Sequence, residues 1–145
     1  MTSDTILGWL RGAVVGSLLS LRVVTLPSPQ HRVVPTKYGK PHHTKSYSVF
    51  MADCARAFAF HAGTFPIGGP PLVAYVEVIG EHPKKTILSA PKGDCDNYVK
   101  GVLDGATSSG LWSDDTRVHA LIVTKRWSKP GEKPGVHMHV GELRQ

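Results

Sequence analysis

This sequence has few cysteines, no long apolar run and few acidic residues outside one segment. Cys54 and Cys95 are too few for a disulfide framework or a cysteine-rich zinc site, which favours a reducing cytoplasmic environment. The apolar stretch at residues 12–21 is about half as long as a membrane-spanning helix, and it lacks the basic start of a signal peptide. We therefore expect a cytoplasmic protein that makes no contact with a membrane.

The length and the composition suit one globular domain. With 145 residues, of which 41% are hydrophobic, the chain is long enough to bury a substantial core. The β-branched run at residues 21–26 predicts a first strand that ends at Pro27. We therefore divide the chain into an N-terminal extension, residues 1–20, and a single domain, residues 21–145.

The acidic residues are concentrated in one segment. Five of the eleven Asp and Glu residues lie within residues 94–115 beside a single lysine, which gives this segment a net charge of −4. The rest of the chain has sixteen basic and six acidic residues, a net charge of +10. Crowded carboxylates indicate a bound cation, and hard divalent ions prefer carboxylate oxygens. Because the positive remainder indicates a polyanionic partner, the two features together predict metal-dependent chemistry on nucleic acid.

Periodicity predicts two main helices and a sheet of four or five strands. The helices are expected over residues 46–61 and 97–106, the second with Asp96 as its N-cap. The predicted strands are residues 21–26, 72–79, 87–90, 118–125 and 136–140. The expected fold is α/β (α+β), a small single domain in which a mixed sheet packs against the two helices.

The helix predicted over residues 97–106 has one polar edge. At about 100° per residue, Asp96, Asn97, Lys100 and Asp104 fall within one arc, and the apolar residues fill a separate arc. A plain surface helix with i,i+4 ion pairs explains this edge equally well.

Three further carboxylates favour a metal site over a plain surface helix. Asp94 lies just before the helix, and Asp114 and Asp115 precede the strand at residues 118–125, from which we expect them to return beside the helix start. Carboxylates from two or three such positions can hold one or two Mg²⁺ ions, which polarise a phosphodiester and activate water. Lys100 either neutralises charge on the phosphate or simply offsets the acidic cluster.

Basic residues outside the acidic segment are candidates for contacts with a nucleic-acid backbone. Residues 31–45 contain four Lys or Arg, three His and two Pro, the composition of a phosphate clamp or of a solvated loop. The candidate contacts are Arg32, Lys37, Lys40, Lys45, Lys125, Arg126 and Lys129.

Two histidines form a weaker candidate site. His137 and His139 alternate on the strand predicted at residues 136–140, so they share one face and can hold a transition metal if a third ligand exists. The alternative is that both are exposed strand residues.

Three short motifs follow one another in the acidic segment. They are Asp94-x-Asp96-Asn97-x-x-Lys100, then Leu103-Asp104, then Trp112-x-Asp114-Asp115-x-x-Val118. Together they resemble the RusA family of Holliday junction resolvases, which is found in bacteria, phages and prophages. A Pro-x-Pro at residues 27–29 and the position of Lys125 extend the resemblance to roughly residues 21–142.

The resemblance implies a Mg²⁺-dependent homodimer, with Mn²⁺ as a possible substitute, that binds four-way DNA junctions and makes paired symmetric nicks during recombination and repair. Its metal ligands and important lysine fall on Asp94, Asp96, Asp115 and Lys100. Asp114 is expected to join the metal site by tuning it or by binding outer water. Asn97 and Asp104 are expected to orient the helix start.

Two alternatives remain open from the residues alone. The first is a non-catalytic DNA-binding protein whose acidic cluster holds a structural cation. The second is a less selective Mg²⁺ nuclease of branched DNA or RNA hybrids, which the same carboxylates serve equally well. Cleavage separates the first alternative from a resolvase, and substrate shape separates the second.

Overall fold

Three helices and four long strands dominate the described part of the chain. The structure is a computed structural model that describes residues 1–27, 33–34 and 42–145, with side chains for residues 1–27 and 44–145. The first half contains α1 (Ser3–Ala13), β1 (Val14–Val23), the short strands β2 (Val33–Val34) and β3 (His42–His43), and α2 (Lys45–Phe58), which continues as a 3₁₀ turn (Ala59–His61). The second half contains β4 (Leu72–Gly80), α3 (Cys95–Ser108), a 3₁₀ turn (Asp115–Arg117), β5 (Val118–Trp127) and β6 (Gly135–Leu143).

The four long strands form one mixed sheet in the order β1-β6-β4-β5. Strand β6 runs antiparallel to β1 and β4, whereas β4 and β5 are parallel, with Leu72 beside Val118 and Gly80 beside Trp127. Parallel neighbours need a crossover connection, and α3 provides it. The predicted small α+β domain with a mixed sheet and two main helices is confirmed, and α1 is a third helix that the prediction lacked.

Strand β4 is buried along its whole length because both faces of the sheet are covered there. Leu72 and Val78 lie on the face that packs against α2 and α3, whereas Val73 and Tyr75 pack against Ile6 of α1. An uninterrupted apolar run is the pattern expected for a strand buried on both faces. This pattern explains why the prediction at residues 72–79 was accurate.

The N-terminal prediction was wrong about where the first strand begins and ends. Strand β1 starts at Val14 rather than at residue 21, and its pairing with β6 is irregular between Val15 and Leu19. Gly16 and Ser17 fall within that irregularity, so the alternating pattern that marks a strand is interrupted. The division of the chain at residue 20 stays a prediction. Within the described ranges, no helix is long and apolar enough to cross a membrane.

Two predictions near the acidic segment were also wrong. Residues 87–90 do not form a strand: they lie in the loop between β4 and α3, where the Ile87 side chain is fully exposed and gains nothing from pairing. Helix α3 starts before the predicted residue 97, and its N-cap is Asp94 rather than Asp96. Asp96 therefore lies in the first turn of the helix, where its negative charge is favoured.

Helices α2 and α3 approach closely at Gly105, which faces Cys54. A β-carbon at position 105 would lie 2.5 Å from the Cys54 sulfur, closer than two such atoms can stand. Cys54 is fully buried, and burial, followed by the charge of Asp53, raises its pKa to about 12. The thiol is therefore a packing group, because its nucleophilic thiolate is suppressed.

Replacing Gly105 with Ala should destabilise the protein by about 1–3 kcal/mol, because the added methyl group must push Cys54 and α2 away. Urea denaturation of the variant and the wild type measures the difference. Gly8→Ala is the matched control, because position 8 is in α1 with open space around it. Alanine there should raise the free energy of unfolding by about 0.5–1 kcal/mol. A Gly105→Ala variant as stable as the wild type would contradict this close packing.

Candidate active site

The start of α3 presents two of the predicted aspartates to solvent. Asp94 is the N-cap residue with an extended backbone, and its carbonyl accepts a hydrogen bond from the Tyr98 amide at 3.1 Å. Its carboxylate makes no capping hydrogen bond with the described residues of α3. Asp96 is also exposed, and the positive end of the helix dipole favours both negative charges. Their oxygens are therefore accessible to a cation.

The turn before α3 is held on two sides. Gly93 has a φ of 114°, a backbone conformation that other residues rarely adopt. Lys125 of β5 donates a hydrogen bond from Nζ to the Gly93 carbonyl at 2.6 Å, and the Tyr98 hydroxyl donates to the Lys92 carbonyl. The sheet and the helix together thus fix the peptide groups that lead into Asp94.

The other predicted carboxylates lie just before β5. Asp114 is exposed and accepts a hydrogen bond from the Thr116 amide at 3.0 Å, which lowers the pKa of Asp114. Asp115 is half-buried, and its pKa is raised, first by burial and then by the hydrogen bond and charge of Asp114 and the charge of Asp104. A carboxyl group whose ionised form is disfavoured gains most from a nearby cation.

The structure corrects the expectation that Asp114 and Asp115 return beside the start of α3. Asp115 interacts electrostatically with Asp104, which is ten residues, or about 15 Å of helix, beyond Asp94. The Trp112 indole donates to Thr107 near the end of α3, at 2.8 Å. The acidic residues therefore form two groups, one at each end of the helix.

The direction of β5 confirms this separation. Its first residue, Val118, follows the 3₁₀ turn that contains Asp115, whereas Lys125 contacts Gly93 at the start of α3. Seven residues of strand between Val118 and Lys125 span about 23 Å. Consistent with this distance, no group of three or more His, Cys, Asp or Glu residues is close enough to hold a metal ion within the described ranges.

The predicted polar edge of α3 is present along the helix. Lys100 and Asn97 are exposed, and Lys100 follows Asp96 by four residues, about one turn. Asp104 is half-buried beside Asp115. Lys100 is therefore associated with the Asp94 and Asp96 group, and Asp104 with the Asp115 group.

Arg117 is a structural residue of this region that the sequence analysis missed. Its Nη1 donates to the Pro66 carbonyl at 2.6 Å, and its Nη2 donates to the Pro70 carbonyl at 2.7 Å. A β-carbon at position 69 would lie 2.5 Å from Nη2, so Gly69 makes room for the guanidinium. These contacts tie the Asp115 turn to the loop before β4. The Gly and Pro residues before β4 are typical of a loop, but they do not reveal which residue the loop contacts.

The candidate DNA contacts are placed differently from one another. Lys45 is exposed at the first position of α2, and Lys129 is exposed after β5. Arg32, Lys37 and Lys40 lie outside the described residues.

Lys125 and Arg126 are neighbours on a strand, so their side chains leave opposite faces of the sheet. Lys125 is on the α3 side. The Arg126 guanidinium pairs with the buried Glu77 at 3.2 Å and with Glu132 at 2.6 Å, and this contact lowers the pKa of Glu132 to about 2. Arg126 therefore already has two carboxylate partners, and its role as a DNA contact stays a prediction.

The two histidines of β6 share a face, as predicted, but they are half-buried rather than exposed. Burial lowers the pKa of both imidazoles. His139 contacts the Ser20 hydroxyl at 2.7 Å and stacks on Tyr75, and His137 lies 4.0 Å from Glu77. Among the described residues no third ligand completes a metal site with them.

The chemistry of the acidic residues fits a hard divalent ion, although one chain does not gather three of them. Each group contributes carboxylate oxygens, the ligands that Mg²⁺ takes. At the start of α3, Asp94 and Asp96 are exposed, and at the far end the pKa of Asp115 is raised by burial and by neighbouring carboxylates. Exposed carboxylates on a small α/β domain with a basic remainder are features expected of a metal-dependent nuclease.

Comparison with known protein families identifies the particular family. The RusA family, described as Endodeoxyribonuclease RusA, matches residues 23–140, and the chain belongs to this family. A search of curated proteins found no match to this chain. The protein is therefore an endodeoxyribonuclease of the type that resolves Holliday junctions with a divalent metal ion. This membership favours a nuclease over the non-catalytic DNA-binding alternative.

The ionised carboxylate of Asp115 should destabilise the metal-free protein at neutral pH. Because its folded-state pKa is raised, this carboxyl favours folding below its unfolded pKa, and the contribution is lost as the pH rises through the folded value. Asp115→Asn should therefore stabilise the protein at about pH 7 in the presence of chelator, and the gain should shrink towards about pH 3. Thermal denaturation across this pH range measures the effect.

Asp114→Asn is the matched control, with the opposite sign. The pKa of Asp114 is lowered, so its ionised form favours folding, and its replacement should reduce stability at neutral pH. A loss of stability at neutral pH in Asp115→Asn would contradict the inference that its surroundings disfavour the ionised carboxylate.

Proposed function

We propose that this protein is a Mg²⁺-dependent resolvase that cuts four-way DNA junctions by paired symmetric nicks in recombination and repair. The observation that carries the proposal is the start of α3, where Asp94 and Asp96 are exposed and Lys100 follows one turn later. We further propose a cytoplasmic location, acting on chromosomal, phage or prophage DNA.

Asp94, Asp96 and Asp115 are the proposed metal ligands. Mg²⁺ bound there would polarise the phosphodiester and lower the pKa of a bound water molecule. Lys100 places a positive charge one turn after Asp96. There it favours binding of the scissile phosphate and stabilises the negative charge that develops on the phosphate in the transition state. Asp114 holds the Asp115 turn by accepting a hydrogen bond from the Thr116 amide. The exposed Asp114 carboxylate is also available to bind ordered water.

We propose that two copies of the chain complete each metal site. Asp94 and Asp96 are at one end of α3 and Asp115 is near the other, so one chain cannot bring all three to one ion. A two-fold axis that sets the start of α3 from one copy against the Asp115 turn of the other creates two equivalent sites. Two such sites also match the symmetry of paired nicks in a four-way junction.

Cleavage of a labelled four-way junction tests this function. The wild type should make paired symmetric nicks in the junction and leave a linear duplex of the same sequence uncut. Chelator and Asp115→Asn should each reduce cleavage by at least about 100-fold while junction binding persists, because the metal supplies most of the transition-state stabilisation.

Lys133→Met is the matched control because Lys133 is exposed between β5 and β6 and belongs to neither acidic group. It should cut like the wild type. Equal cutting of junctions, flaps, forks and linear duplex would instead establish the less selective nuclease. Undiminished cleavage by Asp115→Asn would contradict the ligand assignment.

A further inference from the structure

Lys125 has a role that its charge alone does not suggest. It lies on β5 on the same face as Val123, which packs against the core below α2 and α3, and its side chain is half-buried. From this position its ammonium reaches the turn between the β4–α3 loop and α3, and donates to the Gly93 carbonyl at 2.6 Å. The contact joins residues that are 32 positions apart in the chain.

The Gly93 carbonyl belongs to the same peptide group as the Asp94 amide nitrogen. Because a peptide group is planar, an ammonium that fixes the carbonyl also fixes the orientation of the bond into Asp94. Gly93 itself has a φ of 114° and no side chain to restrain it. A charge-assisted hydrogen bond at this point therefore restrains the peptide group from which the Asp94 side chain extends.

Neighbouring contacts hold the rest of the approach to α3 and support this assignment. The Tyr98 hydroxyl donates to the Lys92 carbonyl, and the Trp127 indole donates to the Leu88 carbonyl at 2.9 Å. Trp127 is two residues beyond Lys125 on the same strand, so the end of β5 supports the loop at two points. Strand β5 thus supports the peptide that carries Asp94 through two hydrogen bonds to the preceding loop.

We propose that Lys125 is a positioning residue that orients Asp94 for metal binding through the Gly93 carbonyl, rather than a contact to the DNA backbone. The inference rests on the proposed metal site at Asp94 and Asp96. It accounts for a half-buried lysine whose ammonium points to a carbonyl group at the base of the acidic turn.

Titration of the full-length protein with MnCl₂, followed by the electron paramagnetic resonance of free Mn²⁺, tests the proposal without any cleavage. Lys125→Met removes the donor and keeps the aliphatic stem, and Gly93→Ala disturbs the same peptide without removing a charge. Each should weaken Mn²⁺ binding by about 10-fold, at the lower end of the range for residues that orient metal ligands. Lys133→Met, which removes a lysine charge elsewhere, should bind Mn²⁺ like the wild type.

Junction binding in chelator separates positioning from phosphate contact. If Lys125 positions Asp94, Lys125→Met should keep the wild-type affinity and the wild-type dependence on salt, while the single-turnover cleavage rate at saturating junction falls at limiting Mg²⁺. If Lys125 contacts a phosphate, the slope of log affinity against log salt should decrease by about 0.9 and Mn²⁺ binding should be unchanged. The second result would overturn the proposal, as would wild-type behaviour in both assays.

Asp94→Asn distinguishes failure of this inference from failure of the metal site itself. If the wild type binds Mn²⁺, Asp94→Asn does not, and Lys125→Met binds normally, only the role of Lys125 is wrong. If the wild type and Asp94→Asn bind Mn²⁺ identically, the metal site proposed at Asp94 is wrong, and the positioning role is overturned with it.

Discussion

The parallel pairing of β4 with β5 is the constraint on which the arrangement of the acidic residues depends. Parallel neighbours require a connection from the carboxyl end of one strand to the amino end of the next. Helix α3 must therefore run back along the length of the strands. Asp94 is at its first end, and Asp115 is at its second, where β5 begins. The topology therefore separates carboxylates that lie within 22 residues of sequence, and the proposed site shared between two copies would bring them together.

The sequence predicted the class of fold and most of the long elements, because their signals are local. The apolar run of β4 and the helical spacing of α2 needed no knowledge of their partners. The predictions of the first strand and of a strand at residues 87–90 were wrong because pairing with a neighbouring strand, rather than local composition, decides where a strand forms. The acidic residues were recognised as a group, but their separation was not, since it follows from the parallel direction of β5.

Several cations of this basic protein serve its own structure. Arg117 binds two carbonyl groups, Arg126 pairs with Glu77 and Glu132, and Lys125 binds the Gly93 carbonyl. A count of basic residues cannot distinguish these from exposed side chains such as Lys45, because both kinds contribute equally to net charge. Net charge therefore indicates a polyanionic partner, while only the contacts identify which residues remain available to it.

Mixing two inactive variants tests the shared site most directly. Asp94→Asn and Asp115→Asn should each fail to nick a four-way junction alone. In a heterodimer, one site receives both substitutions and the other receives none, so an equimolar mixture after subunit exchange should recover about a quarter of the wild-type sites. These sites should give single nicks rather than paired ones. A mixture that stays inactive, although its subunits have exchanged, would contradict a metal site built from two copies of this chain.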